Sequence, residues 1–119
     1  MKIKKNWLMP LLIFYWVLCF ALTHLPLPSE VAPRPGMDKV YHLVGYFFLG
    51  LLLKSNFSIH KKFITYQIRA CLVFVLIYSI FDEATQPFVG RQFDLLDIAS
   101  DIIGATLGAL ASQRIYPVK

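Results

Sequence analysis

The sequence predicts an all-α protein: a four-helix transmembrane bundle with both termini in the cytoplasm. Of its 119 residues, 57% are hydrophobic and only 16% are charged, which is more apolar than a soluble domain of this length can bury. The apolar residues fall into four separate runs, with Lys and Arg concentrated on one side of the membrane that those runs would cross. The length suits one domain, so we expect residues 1–119 to form a single membrane domain.

The first two runs cover residues 7–25 and 38–54. The first, WLMPLLIFYWVLCFALTHL, follows a basic start, and the lack of a small-residue cleavage site after it favours an uncleaved helix over a signal peptide. The connection LPLPSEVAPRPGM holds four prolines and is expected to be extended. The second run is short, and it spans a membrane only if it begins near Asp38 and the Lys54 side chain extends outward to the surface.

The last two runs cover residues 64–81 and 95–113. A polar basic turn, SNFSIHKKF, is expected before the third run. The stretch FDEATQPFVGRQFDLLDIASD then leads into the fourth run and holds five of the seven acids of the chain. Cys19 and Cys71 both lie inside apolar runs, so neither a disulfide framework nor a zinc site is indicated.

Orientation follows from the distribution of Lys and Arg. Four spans place both termini and the central turn on one side, with nine basic residues: Lys2, Lys4, Lys5, Lys54, Lys61, Lys62, Arg69, Arg114 and Lys119. The other side holds three, namely Arg34, Lys39 and Arg91. The positive-inside rule therefore predicts cytoplasmic termini, and all seven acids then lie at or near the outer face. The net charge of +5 reflects this topology, because no aromatic-interleaved basic stripe indicates nucleic acid as a partner.

Two helices carry polar residues inward from the outer face. Asp38, His42 and Tyr46 are four residues apart and so line one face of the second helix. Ionisable residues inside a span are rare and usually face the protein interior or a cavity. His42, one turn inside the helix, is therefore a candidate functional residue, although a simply hydrogen-bonded histidine is the alternative.

The fourth helix has a similar stripe, formed by Asp97, Asp101, Gly104 and Gly108. An aspartate at the centre of a span costs about 3 kcal/mol, so Asp101 should face protein rather than lipid. Gly104 and Gly108 form a small-residue seam that predicts close helix packing. The two stripes share their spacing, by duplication or by chance, and we expect His42 to meet the acids of the fourth helix.

Arg91 is the only strong cation within the acidic stretch. Charge balance for Glu83, Asp94 or Asp97 is one role for it. The other is a clamp for an anionic ligand, because the guanidinium fork matches phosphate and carboxylate. Both roles stay open on the sequence.

The segments DKVYHLVGYFFLG and DEATQPFVGRQFDLLDIASDIIGATLG resemble the VanZ-like family of small bacterial integral membrane proteins. The chain departs from the family pattern at Val89, where Pro is common, and at Asp101, where Asn is common. The matching positions are Asp38, Lys39, His42, Tyr46, Glu83, Gln86, Gly90, Arg91, Asp97, Gly104 and Gly108.

The resemblance implies a multi-pass protein of the bacterial cytoplasmic membrane, with its acidic loops on the extracytoplasmic side. The founding member of the family is associated with resistance to the glycopeptide antibiotic teicoplanin. The resemblance implies no settled reaction, so it leaves open whether this chain is an enzyme and whether it affects antibiotic susceptibility.

The first functional hypothesis is a site that binds or acts on an anionic envelope lipid or a lipid-linked cell-wall precursor. The candidate catalytic residues are His42, as acid or base, with Asp38 or Glu83 orienting it. The candidate ligand-binding residues are Arg91, Gln86, Asp97, Lys39 and Tyr46. The sequence offers no clear nucleophile, so a water activated by a metal on His42 and carboxylates is one route, but the sequence assigns neither a metal nor a cofactor.

Two other functional hypotheses assign the chain to different classes of protein. The polar residues could serve only to lock the helices of a structural or accessory membrane protein. Alternatively, the chain could be a small transporter or proton relay, which requires polar positions in the inner halves of the helices. Those halves are expected to be apolar except at Gln67 and Thr106, and four short helices would have to oligomerise to form a conduit.

Overall fold

The computed structural model describes residues 3–26, 34 and 36–117. This part of the chain is all-helical, without strands, which confirms the predicted class. Its α-helices are α1 Lys5–His24, α2 Met37–Ile59, α3 Gln67–Thr85 and α4 Leu95–Ile115, with a short 3₁₀ helix, Gln86–Val89, between α3 and α4. Most of the proline-rich connection expected between α1 and α2 lies outside the described residues.

Three of these helices, α1, α2 and α4, are long and apolar enough to cross a membrane. The third predicted span, α3, carries three charged residues in its 19, Arg69 near its start and Asp82 and Glu83 near its end. The outer surface of the bundle is apolar: Phe14 on α1 is 67% exposed and Ile77 on α3 is 65% exposed. Such a surface is typical of a protein embedded in lipid.

The bounds of α2 and α3 differ from those predicted. Residues 55–59, expected in a polar turn, extend α2 to Ile59, and α3 begins at Gln67 rather than at residue 64. The reason lies in the packing, which satisfies the polar side chains of this segment inside the protein. Ser55 Oγ lies 2.8 Å from Ser112 Oγ of α4, and Asn56 Nδ2 donates to the Leu8 carbonyl of α1 at 3.1 Å.

Lys54 was expected to extend outward to the surface, and this expectation is wrong. The residue is fully buried, and its Nζ donates to Ser58 Oγ at 2.8 Å and to the Tyr116 carbonyl at 3.0 Å. Gln67 is buried beside it, with its Oε1 accepting from Ser58 Oγ at 2.9 Å. The end of the bundle that holds Lys54 and Gln67 is therefore more polar inside than the sequence indicated.

The closest helix contact is a glycine seam between α2 and α4. A Cβ atom added at Gly108 would lie 1.8 Å from the Phe47 carbonyl oxygen, and one added at Gly104 would lie 2.2 Å from that of Leu43. On the other side of the seam, Gly50 faces the backbone of Ala105 equally closely. Because only glycine allows this approach, the seam holds the middle of α2 against the middle of α4 and brings their polar stripes together.

Candidate functional site

The polar residues meet at one end of the bundle, where α2 begins, α3 ends and α4 begins. The left-handed Gly90 (φ 81°) ends the 3₁₀ helix and allows the chain to turn from α3 towards α4. Asp94 then caps α4, its side chain accepting a hydrogen bond from the Leu96 amide at 2.9 Å. Asp97 follows in the first turn of α4, where an acid also suits the helix dipole.

Lys39 is the cation that gathers the acids at the rim of this site. Its Nζ lies 2.9 Å from Asp38 Oδ2 and 2.8 Å from Asp97 Oδ1, and it also donates to Asp94 Oδ2. The hydrogen bond from Lys39 holds the pKa of Asp94 below its ordinary value. Lys39 thus joins α2 to the start of α4 and neutralises part of the negative charge there.

His42 lies deeper, between α2, α3 and α4. Its Nδ1 is 2.7 Å from Asp101 Oδ1, and the other oxygen of Asp101 accepts from Ser79 Oγ at 2.6 Å. An ionised Asp101 can only accept, so Nδ1 carries the proton and donates. Such a carboxylate fixes the orientation and tautomer of the imidazole ring.

The other ring nitrogen of His42 faces two more carboxylates. His42 Nε2 lies 3.6 Å from Asp97 Oδ2 and 3.9 Å from Glu83 Oε1, which is too far for direct hydrogen bonds. Glu83 is fully buried at the end of α3. It accepts from the Asp94 amide at 3.0 Å and from Gln86 Nε2 at 3.2 Å. Glu83 is therefore held in place by the chain that turns into α4.

Arg91 does not take the first role considered from the sequence, charge balance for Glu83, Asp94 or Asp97. Within the described residues it has no carboxylate partner, and Lys39 balances the acids instead. Its Nη1 donates to the Leu22 carbonyl at 3.1 Å and to the Thr23 carbonyl at 2.9 Å, at the C-terminal end of α1. A cation there satisfies terminal carbonyls and suits the helix dipole. Its Nε and Nη2 donate to no described residue.

A second buried acid, Asp82, is satisfied by residues that the sequence analysis missed. Thr23 Oγ1 donates to Asp82 Oδ1 at 2.7 Å, and His24 Nδ1 lies 3.6 Å from the same oxygen. Tyr46 OH, expected to bind a ligand, instead lies 3.4 Å from Asp82 Oδ2 and is 2% exposed. A Thr-His pair at the end of an apolar helix was the available signal for Thr23 and His24.

A cavity of about 370 Å³ opens beside these residues. Most of the sequence-predicted candidates either line it or lie directly behind its wall. Lys39 and Glu83 contact the lining acids and Gln86, whereas Tyr46, Gly104 and Gly108 belong to the helix packing below. The lining residues are Asp38, His42, Gln86, Arg91, Gln92, Phe93, Asp94 and Asp97.

The chemistry available at this site is acid–base and ligand-binding chemistry. A histidine held by one carboxylate and facing two others can transfer a proton. Two groups of side chains are also close enough to share a metal ion, His42 with Glu83 and Asp101, and Asp38 with Asp94 and Asp97. The second group already surrounds the ammonium of Lys39, which leaves the histidine group as the more suitable one.

Comparison with known proteins identifies relatives. A family model described as VanZ/LLP1 matches residues 6–116, nearly the whole chain. The uncharacterized protein C11E3.10 of Schizosaccharomyces pombe is 30% identical over 87 residues, which cover 69% of this chain and 50% of that protein. The chain therefore spans about half the length of that relative. No solved structure matches the chain.

Proposed function

Because the chain belongs to the VanZ-like family, a family of membrane proteins, we propose that its polar cavity binds the headgroup of an anionic envelope lipid or of a lipid-linked cell-wall precursor. In this proposal residues 1–119 form one domain of the bacterial cytoplasmic membrane. Four helices cross the bilayer, both termini are cytoplasmic, and the cavity opens at the outer face. The nine-to-three distribution of Lys and Arg supports this orientation.

The single observation that carries the proposal is the cavity itself. It lies at the ends of the helices, which in the proposed orientation is the depth where lipid headgroups meet the bilayer, and its wall combines one guanidinium with Phe93 and several polar groups. Arg91 is anchored through Nη1 to the end of α1. Its two remaining donor groups, fixed by that anchor, suit a phosphate oxygen.

Acids line the cavity as well as Arg91, and this restricts where an anion can bind in it. Asp38, Asp94 and Asp97 also line the cavity, and Lys39 offsets only part of their charge. An anionic group would therefore bind beside Arg91, with the sugar, hydroxyl or amine groups of a larger headgroup facing the acids. His42 is positioned to exchange a proton with such a group.

A structural role is a second candidate, and one specific observation favours it. The Asp82 cluster joins three helices: Thr23 comes from α1, Tyr46 from α2 and Asp82 from α3. It lies beside the cavity but does not line it. A network of this kind stabilises a helix arrangement without any ligand.

A proton relay has less support. The polar cluster around Lys54 at the inner end is separated from His42 along the helices by fully buried apolar residues, including Leu49, Val75 and Ala105. These positions offer no hydrogen-bonding side chain to carry a proton between the two ends.

Lipid binding by the purified protein tests the proposal. We would incubate the detergent-solubilised protein with C55 polyprenyl phosphate, phosphatidylglycerol or phosphatidylcholine and count bound lipids by native mass spectrometry. We expect the anionic lipids to bind more tightly than phosphatidylcholine, and Arg91→Gln to weaken their binding about 10-fold, a loss of about 1.4 kcal/mol. The matched control is Arg69→Gln, which removes one exposed charge outside the cavity.

Equal binding of all three lipids, or equal weakening by both substitutions, would contradict the proposal. Arg91→Gln is also compared with the wild type in thermal unfolding, because Arg91 contacts α1. A downstream readout is susceptibility to teicoplanin, which should change on expression of the wild type but not of Arg91→Gln if the ligand is a lipid-linked cell-wall precursor.

A further inference from the structure

The gap beside His42 Nε2 has the chemistry of a cation site. His42 is held at Nδ1 by Asp101, and its Nε2 is directed between Asp97 Oδ2 at 3.6 Å and Glu83 Oε1 at 3.9 Å. The His42 side chain is 9% exposed, yet Nε2 makes no hydrogen bond with the described residues. His42 also lines the cavity, so a ligand in that cavity is the partner available to this nitrogen.

Asp97 gives an independent observation. It is 5% exposed, but neither of its side-chain oxygens accepts a well-aligned hydrogen bond from the described part of the chain. Oδ1 contacts only the Lys39 ammonium, at 2.8 Å, and Oδ2 faces His42. Lys39 compensates the charge at Oδ1, whereas Oδ2 accepts no hydrogen bond from the described residues and remains available to a cation.

We propose that His42 Nε2, Glu83 Oε1 and Asp97 Oδ2 together bind a divalent transition-metal cation, of the class of Zn²⁺ or Mn²⁺. Asp101, the third member of the histidine group, is engaged with Nδ1, and Asp97 replaces it through the oxygen that Lys39 does not contact. The inference deepens the proposed function, on which it relies for the role of the cation. A mixed nitrogen and carboxylate set favours these ions over Mg²⁺ and Ca²⁺, which prefer oxygen alone.

The distances fit this assignment. Ligand atoms about 2.1 Å from a shared metal are about 3.0 to 3.4 Å from one another in octahedral or tetrahedral geometry. The two observed distances from Nε2, 3.6 and 3.9 Å, are wider than this range, and side-chain shifts of up to about 0.9 Å would bring the atoms to it. Direct hydrogen bonds would instead bring these atoms to about 2.9 Å.

The hydrogen bonds that hold His42 and Glu83 in place also suit metal binding. The proton on Nδ1, donated to Asp101, leaves the lone pair of Nε2 free for a metal, and this carboxylate–histidine pairing is common behind metal ligands. Gln86 and the Asp94 amide hold Glu83 in the same way. The two carboxylates offset the charge of a divalent ion, so the ion and these two ligands together carry no net charge.

The cation also gives the acidic cavity a means of holding an anion. His42 and Asp97 line the cavity, so an ion bound between them has a coordination position facing it. A phosphate oxygen in the cavity would complete the coordination sphere while another oxygen meets Arg91. In that arrangement the acids assist anion binding through the metal instead of opposing it.

Metal titration of the full chain in detergent tests the inference. The protein is treated with EDTA, exchanged into chelator-free buffer and titrated with MnCl₂, and the free Mn²⁺ signal is followed by electron paramagnetic resonance. We expect one saturable site, displaced by ZnCl₂, and at least about 10-fold weaker binding in His42→Gln and Asp97→Asn. His60→Gln is the matched control, because this histidine follows the C-terminal end of α2, at the opposite end of the helix from His42, and the Mn²⁺ affinity of this variant should stay within about 3-fold.

A second measurement leaves His42, Glu83 and Asp97 unchanged, so its result does not depend on whether the ligand variants fold. Pulsed electron paramagnetic resonance of the Mn²⁺-bound protein should reveal coupling to a histidine nitrogen, retained when both His24 and His60 are replaced by Gln. Lack of a saturable site, lack of nitrogen coupling, or wild-type affinity in a folded His42→Gln variant would overturn the inference.

Lipid binding is then repeated with the EDTA-treated protein, with and without MnCl₂, which separates the two proposals. If C55 polyprenyl phosphate binds but Mn²⁺ does not, the proposed function stands and the metal site is wrong. If Mn²⁺ binds at His42 but no anionic lipid does, the metal site stands and the proposed function is wrong.

Discussion

His42 and Asp101, 59 residues apart in the chain, form a hydrogen bond of 2.7 Å between Nδ1 and Oδ1 at the junction of α2 and α4. Asp101 is fully buried, and Ser79 of α3 supplies its other partner. The carboxylate of Asp101, on α4, therefore pairs with side chains of α2 and α3 and links the three helices. The same bond fixes the ring whose other nitrogen faces Glu83 and Asp97.

Replacing Asp101 should separate hydrogen bonding from charge. Asp101→Leu leaves His42 and Ser79 without their acceptor and should lower the free energy of unfolding by about 1–3 kcal/mol. Asp101→Asn keeps an acceptor oxygen and should cost less than about 1 kcal/mol, in agreement with the frequent Asn at this position in the family pattern. Thermal unfolding in detergent measures both, and a leucine variant as stable as the wild type would contradict the role given to this bond.

The glycine seam gives a matched pair of substitutions. Gly108→Ala places a Cβ atom 1.8 Å from the Phe47 carbonyl oxygen and must push α2 and α4 apart. We expect a loss of about 1–3 kcal/mol or more, as for overpacked interiors. Gly45→Ala, also within a helix but with nothing within 4 Å of the added atom, should be neutral or slightly stabilising. Similar unfolding midpoints for the two variants would show that the helices do not pack as closely as described.

The proposed topology is tested by cysteine labelling in intact cells. In a background with Cys19→Ala and Cys71→Ala, Gln92→Cys should react with a membrane-impermeant maleimide, whereas Lys62→Cys should react only after permeabilisation. Both parent side chains are exposed at opposite ends of α3. Labelling of both sites from the same side would mean that α3, with its three charged residues, does not cross the bilayer.

The rim acid Asp94 should respond to the loss of Lys39. Its pKa is lowered by Lys39, so Lys39→Met should raise that pKa towards its ordinary value of about 3.9. In the wild type, the contribution of this acid to stability is fully present above the unfolded pKa and is lost as pH falls through the lower folded pKa. Carboxyl ¹³C NMR of labelled Asp in both proteins measures the change, and an unchanged Asp94 titration would exclude the ion pair in solution.

The sequence predicted the secondary structure better than the charge pairing. Four helices follow from four apolar runs, and the i, i+4 spacing correctly grouped Asp38 with His42 and Asp97 with Asp101 on their helix faces, because these relationships are local to one helix. Lys39 and Arg91 show that the sequence did not predict which cation pairs with the acids. Charge alone left open whether Arg91 pairs with the acids, whereas in the structure Lys39 pairs with them and Arg91 contacts the α1 carbonyls.

The residues missed by sequence reasoning share one property, which is that their partners come from another helix. Thr23 and His24 of α1 approach Asp82 of α3, and Ser55 of α2 pairs with Ser112 of α4. Composition and periodicity established a helical membrane protein with its acids grouped towards one end, since these depend on solvation and local spacing. Which side chains meet there depends on the rotation and separation of packed helices, and the glycine contacts between α2 and α4 set both.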